Sequence, residues 1–264
     1  MNGQIRPRVL AIPAGWLVAG RCLRHYDRRS LTGDYRMLKR VLLGLCCLLL
    51  SLPLLAREGW ESVATAKAPG EVSTWVRAVE GAQVKEFLGE VEVPHHPLQV
   101  LKVLDHVEGF PAWVFRCKRA ERIPGVGVYL QIKGVWPASD RDASLQSRVE
   151  VRADRVAILT TAHPELKPEH EDYVRIPELK NSFEVIPLPG GGSRVLFQTF
   201  VDPGGALPKW LSNFVARQGP LETLNNLKKV LGEVQAQPTA DGLSRIYTPE
   251  VLADLQVLLA RKPG

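Results

Sequence analysis

From Ser73 to Val201 one short run of alternating apolar and polar residues follows another, and only from Leu207 does a long apolar stripe at helical spacing begin. That order constrains the chain to an antiparallel meander closed by one late helix. STWVRAVE and VKEFLGEVEV form a hairpin through Gly81, and residues 97–107 read as a helix with Pro97 in its first turn. After the Gly109-Phe110-Pro111 break, residues 112–123 read as a strand. Next comes VGVYLQIKGVW, with Val128, Leu130, Ile132 and Trp136 on one face. DASLQSRVEV, VAILTTA, VRIPELKNSFEVIP and RVLFQTFV complete seven or more strands, the last turn supplied by Gly190, Gly191 and Gly192. The pattern alone gives α+β.

Leu207, Trp210, Leu211, Phe214, Leu221, Leu224, Leu227 and Leu231 make the stripe, and Pro208 sits in its first turn. Gly219-Pro220 interrupts it, predicting a kink. Residues 207–216 would then swing as a gate over whatever the sheet encloses. Residues 236–264 read as a linker and a short helix capped by Thr248 ahead of Pro249, an appendix to the domain at 57–235.

The chain has 34 Lys and Arg against 28 Asp and Glu, but residues 1–56 hold nine of the former and two of the latter. From Arg57 onward 25 face 26, so a phosphate-binding surface for nucleic acid has no support. The excess belongs to a leader. Met37-Leu38-Lys39-Arg40 is a basic start, residues 41–55 are an apolar run, and Ala56 closes it, the order of a signal peptide at 37–56. The run is shorter than a membrane-spanning helix, although Leu54 is large for a cleavage site, so an uncleaved anchor is the alternative. Residues 1–36 are either an extension or sequence ahead of a true start at Met37. The expected location is the periplasm or cell envelope. Cys117 alone would survive maturation, and it reads as a small buried hydrophobe.

Three phrases carry more specific information: WPASDRD at 136–142, DYVRIPELKNSFEVIP at 172–187 and DPGGALPKWLSNF at 202–214. In this order they resemble the START family, lipid-transfer domains related to the steroidogenic acute regulatory protein, over residues 70–231. The resemblance implies a helix-grip fold, a curved antiparallel sheet wrapped around the C-terminal helix, with a cavity for a lipid. Trp136, Pro137, Arg141 and Asp142 read as an architectural corner, with the charged pair capping it. Asp202, Pro203, Gly204 and Gly205 read as a turn that aims the helix.

Under that resemblance Trp136, Phe197, Trp210 and Phe214 line the cavity, joined by Val128, Leu130, Ile132, Leu145, Val149, Leu211 and Leu221. Ser147 and Thr199 are the candidate polar contacts. Family members carry a buried acid and base on the strands beside the corner; here the inward parity from Arg141 runs through Leu145, Ser147 and Val149, implying a mostly apolar cavity. The histidines assemble no metal site, and neither a nucleophile elbow nor a phosphate loop occurs, so no cofactor is expected. The reading is non-catalytic binding, and transfer, of a hydrophobic lipid-like ligand, with transient membrane contact. A helix-grip enzyme of the aromatase, cyclase or hydrolase type is the alternative, and an adaptor without ligand is a third.

Overall fold

A computed structural model describes residues 59–261 apart from 126, 206, 235 and 236, within a compact unit that begins at Arg57. The leader and the extension before it lie outside the described residues. The chain opens with β1 (Glu61–Ala64), β2 (Ser73–Ala78) and β3 (Lys85–Val93), followed by α1 (Pro97–Asp105) and a helical turn, α2 (Phe110–Trp113). Strands β4 (Cys117–Ile123), β5 (Gly127–Ile132), β6 (Arg141–Val151), β7 (Val156–Ala162), β8 (Val174–Arg175), β9 (Glu178–Pro187) and β10 (Ser193–Asp202) come next. Helices α3 (Lys209–Glu233) and α4 (Pro249–Ala260) finish the chain.

Among the described residues nine strands form one antiparallel sheet in the order β1-β2-β3-β10-β9-β7-β6-β5-β4, and β8 adds a short parallel pairing to β6. With α3 against this sheet, the architecture is the helix-grip fold that the family resemblance implies. The start of α1 is fixed locally. His96 Nδ1 accepts from the Leu98 amide at 3.2 Å, and the Gln99 side chain accepts from the His96 amide at 3.0 Å. Both satisfy amides that a helix leaves free at its N-terminus.

The grip itself depends on one glycine. Phe197 of β10 stands opposite Gly89 of β3 on one side and Phe183 of β9 on the other. A Cβ at Gly89 would lie 2.4 Å from Leu224 Cδ1, so the missing side chain is the seat in which α3 rests. Leu224, Leu227 and Leu231 are fully buried there with Val91, Val185 and Val195. Each leucine contributes about 1.5–3 kcal/mol by leaving water.

Three sequence expectations change. Residues 112–123 are a strand only from Cys117; Phe110–Trp113 is helical, because Pro111 suits a first turn and the Trp113 indole folds inward, 5.2 Å from Phe110 and 5.8 Å from Phe183. The run VRIPELKNSFEVIP breaks at Ile176-Pro177, where proline has no amide for a ladder. The piece before it stays with β6, and the piece after it joins β7 and β10. The short C-terminal helix forms behind its Thr248 cap, but Tyr247, Leu255 and Leu258 are buried in the main core, so it is no appendix. Asp105 at the end of α1 holds that segment: its carboxylate accepts from the Ser244 amide at 2.7 Å and the Ser244 hydroxyl at 2.5 Å.

Candidate functional site: a cavity under the first half of α3

Helix α3 runs through Pro220 as one element, yet its two halves do different work. The second half fills the core. The inner face of the first half, Leu211, Ser212, Val215, Ala216, Gly219 and Pro220, instead covers a cavity of about 220 Å³. Across from it stand Leu130 and Ile132 of β5, Arg141 of β6, Leu179 and Asn181 of β9, and Phe197, Thr199 and Val201 of β10. Lys133, Gly134, Val135 and Ala138, from the loop between β5 and β6, close one side. An adjoining cavity of about 90 Å³ shares Val114, Leu130, Asn181, Phe197 and Thr223, and continues to Val128, Leu145, Ser147, Ile158 and Thr160. Phe183 and Phe197, stacked at 4.2 Å, lie beneath this second space.

The wall's hydroxyls are mostly occupied by one another. Ser147 and Thr160 pair at 2.8 Å, Thr199 donates to Asn181, and Thr223 accepts from the Phe115 amide at 3.1 Å. What they leave open to a ligand is therefore chiefly hydrocarbon.

Of the expected cavity residues, Val128, Leu130, Ile132, Leu145, Ser147, Phe197, Thr199 and Leu211 do face these two spaces. Trp136, Trp210 and Phe214 do not: they are 87%, 64% and 47% exposed. The reason for Trp136 is that β5 ends at Ile132, so strand parity does not reach the loop that carries it. Trp210 and Phe214 are four residues apart and share one face of α3, whereas the cavity takes the neighbouring face through Leu211 and Val215. Val149 is packed in the core, and Leu221 lies half-buried against it; neither borders the cavity. Asn181 was missed, because a polar residue inside an alternating strand carries no sign of which way it turns. Trp113 was missed as well, because a segment read as a strand gave no sign of the helical turn that buries it.

The corner phrases meet in space. Asp142 pairs with Arg175, Nε to Oδ1 at 2.8 Å and Nη2 to Oδ2 at 2.9 Å, and Tyr129 donates to Oδ2 at 2.9 Å. Burial would raise the Asp142 pKa, but Arg175 and the Tyr129 hydroxyl together hold it below the usual aspartate value. Arg175 also donates to the carbonyls of Pro164, Lys167 and Pro168, and so fastens the segment that follows β7. Gly204, with φ +66°, packs on the same arginine; a Cβ there would sit 2.7 Å from the Arg175 carbonyl oxygen.

Arg141 bonds within this corner but does not share its ion pair. It is 7% exposed and borders the larger cavity; its Nη1 donates to the Ser139 carbonyl, and its buried Nε has no acceptor among the described residues. Burial lowers its pKa below the ordinary arginine value, with Asp140 acting in the opposite direction. Cys117 is buried and its thiol is pushed up to about 11 by desolvation, an unreactive state. Among the described residues no cluster of three or more metal-ligating side chains occurs.

Residues 41–237 match the family model described as the START domain. An uncharacterized protein of Pseudomonas aeruginosa is 27% identical over 176 residues, 65% of this chain and 86% of that one. Phosphatidylcholine transfer protein of Mus musculus is 27% identical over 131 residues, 48% of this chain and 61% of its own length. Among solved structures, a fragment of a STAR-related lipid transfer protein from Xanthomonas axonopodis is 29% identical with a TM-score of 0.61, covering 66% of this chain and 99% of that one. Human StAR-related lipid transfer protein 5, at 18% identity and a TM-score of 0.57, shares the fold over 76% of this chain and 98% of its own.

Proposed function

This chain belongs to the START domain family, and from that premise we propose that it binds a lipid-like ligand under the first half of α3 and carries it between membranes without chemical change. The observation that carries the reading is the cavity itself, apolar on most of its wall and covered by the half of a helix that is not part of the core. Affinity would come from burial, each methylene leaving water contributing about 0.8 kcal/mol. The names of the mouse and Xanthomonas relatives, both lipid transfer proteins, support the class of ligand. Against the enzyme reading, Asp105 is the carboxylate that borders the smaller cavity, and Ser244 already occupies both of its oxygens. General acid or base catalysis needs such a group free to meet substrate.

Trp136, Trp210 and Phe214 acquire a role here that the cavity does not give them. All three are exposed on the loop and helix whose neighbouring residues wall the cavity. Aromatic side chains of this kind favour the membrane–water boundary, so we assign them to transient docking on a bilayer. Native mass spectrometry of the purified protein should show an adduct of lipid mass, released by organic extraction. A preparation that stays empty, and takes up nothing from mixed vesicles, would sink the reading.

Export is proposed with it, from the basic, apolar and small-residue order at 37–56. N-terminal sequencing of the mature protein should begin at Arg57. Recovery of the uncleaved chain from the soluble cytoplasm would overturn this.

A further inference from the structure

We propose that Arg141 receives the polar end of the bound lipid, and that this end is an oxyanion, a carboxylate or a phosphate. The proposal rests on the lipid reading above and names the chemistry that reading leaves open.

The charge along the cavity wall is one-sided. Lys85, Arg116, Lys133 and Arg141 border the larger cavity, and among the described residues no Asp or Glu does. Three of the four are accounted for. Lys85 pairs with Glu61 at 2.8 Å, Arg116 donates to the carbonyls of Lys133 and Gly134, and Lys133 is exposed to water. Arg141 is the exception, a buried cation with one backbone acceptor and a buried Nε without any.

The carboxylates beside it in sequence are committed elsewhere. Asp142 is held by Arg175 and Tyr129, while Asp140 accepts from Lys118 at 2.7 Å and from the Gly134 amide at 2.8 Å. A guanidinium removed from water without a carboxylate bonded to it is costly, and a ligand that brings an oxyanion reduces that cost. The planar fork of arginine presents parallel N–H donors spaced for two oxygens of a carboxylate or phosphate. A neutral lipid filling the same space would leave the guanidinium with only its one backbone acceptor. Discrimination by headgroup charge therefore follows from a guanidinium that borders the cavity with a single backbone acceptor. The paired hydroxyls of Ser147 and Thr199 give no such preference.

The test uses palmitate, hexadecyl phosphate and hexadecanol, which share one chain and differ at the polar end. The parent protein should bind the two anions at least about tenfold more tightly than the alcohol, the scale of one hydrogen-bonded charge. Arg141→Met should abolish the difference while leaving hexadecanol affinity within about twofold, and Arg141→Lys should keep part of it. Equal affinity for all three probes in the parent overturns the assignment, and that comparison does not depend on any variant folding. So does an equal loss for all three in a folded Arg141→Met. Displacement of palmitate by an equal concentration of inorganic phosphate would assign Arg141 to a free anion, and so overturn the headgroup contact. Hexadecanol binding without anion preference defeats this inference alone; no binding of any probe defeats the lipid reading with it.

Discussion

Asp142→Asn is expected to destabilise the protein by about 3–5 kcal/mol and to lower its melting temperature by roughly 10 °C. Asp142 is fully buried, and Arg175 beside it is nearly so on its side chain. Removing the negative charge leaves a guanidinium tied to three backbone carbonyls with nothing to balance it. The loss would spread, because the same arginine joins β6, β8, the segment after β7 and the glycine turn before α3. The pH dependence has a definite sign. The pKa of Asp142 is depressed in the folded state, so its contribution is complete above the unfolded value near 3.8 and disappears as pH falls through the lower folded value. In thermal melts the gap between parent and variant should therefore be full at pH 7 and narrow as the pH falls below the unfolded value near 3.8. A variant melting within 1–2 °C of the parent at pH 7, on the order expected of a solvated pair, would remove the corner from the list of structural supports.

Pro220→Ala is expected to slow lipid exchange between vesicles by about tenfold while leaving equilibrium loading nearly unchanged. Proline at 220 has no amide, so the Ala216 carbonyl lacks its helical donor. Restoring one such bond is worth about 0.5–1.5 kcal/mol, a factor of about ten at the upper end. The weak point lies between the part of α3 that walls the cavity and the part buried by Leu224, Leu227 and Leu231, where a moving wall would turn. Gly219→Ala is the poorer probe, since its Cβ would lie 3.2 Å from Phe115 Cδ1 and press on another wall residue. Exchange as fast as the parent's, in a folded and loaded Pro220→Ala, would move the gate to the loop carrying Trp136.

The succession of strands and the late helix were legible because alternation and helical spacing are local signals, and the pattern from Ser73 to Val201 is long. The sheet is not the plain meander expected, however, since β3 pairs with β10 and β9 with β7. The cavity was legible only where a strand or helix carried its parity without interruption, as at Val128, Leu130, Ile132 and Leu145. It failed at Trp136, one loop beyond the end of β5, and at Trp210 and Phe214, which the resemblance and the apolar stripe placed at the cavity. A helix with apolar residues on two adjacent faces gives no local indication of which face meets the sheet. Arg141 bonds within the corner through the Ser139 carbonyl, but its place on the cavity wall was not legible, for a related reason. RD is a natural capping pair in sequence, and that Asp142 is claimed by Arg175, thirty-three positions away, is a tertiary fact.

The match to the family stops at residue 237, but the fold does not. Tyr247, Leu255 and Leu258 lie in the same core as α1 and the leucines of α3, and Ser244 completes the shell of a buried carboxylate. A chain cut at the family boundary would present an apolar trough flanked by an Asp105 that keeps Arg122 but has lost both Ser244 donors, a surface prone to self-association. Relatives that end there would need a different covering over that trough or a smaller set of side chains within it. In this protein the recognised domain and the folding unit are therefore different lengths of chain, and α4 belongs to the second.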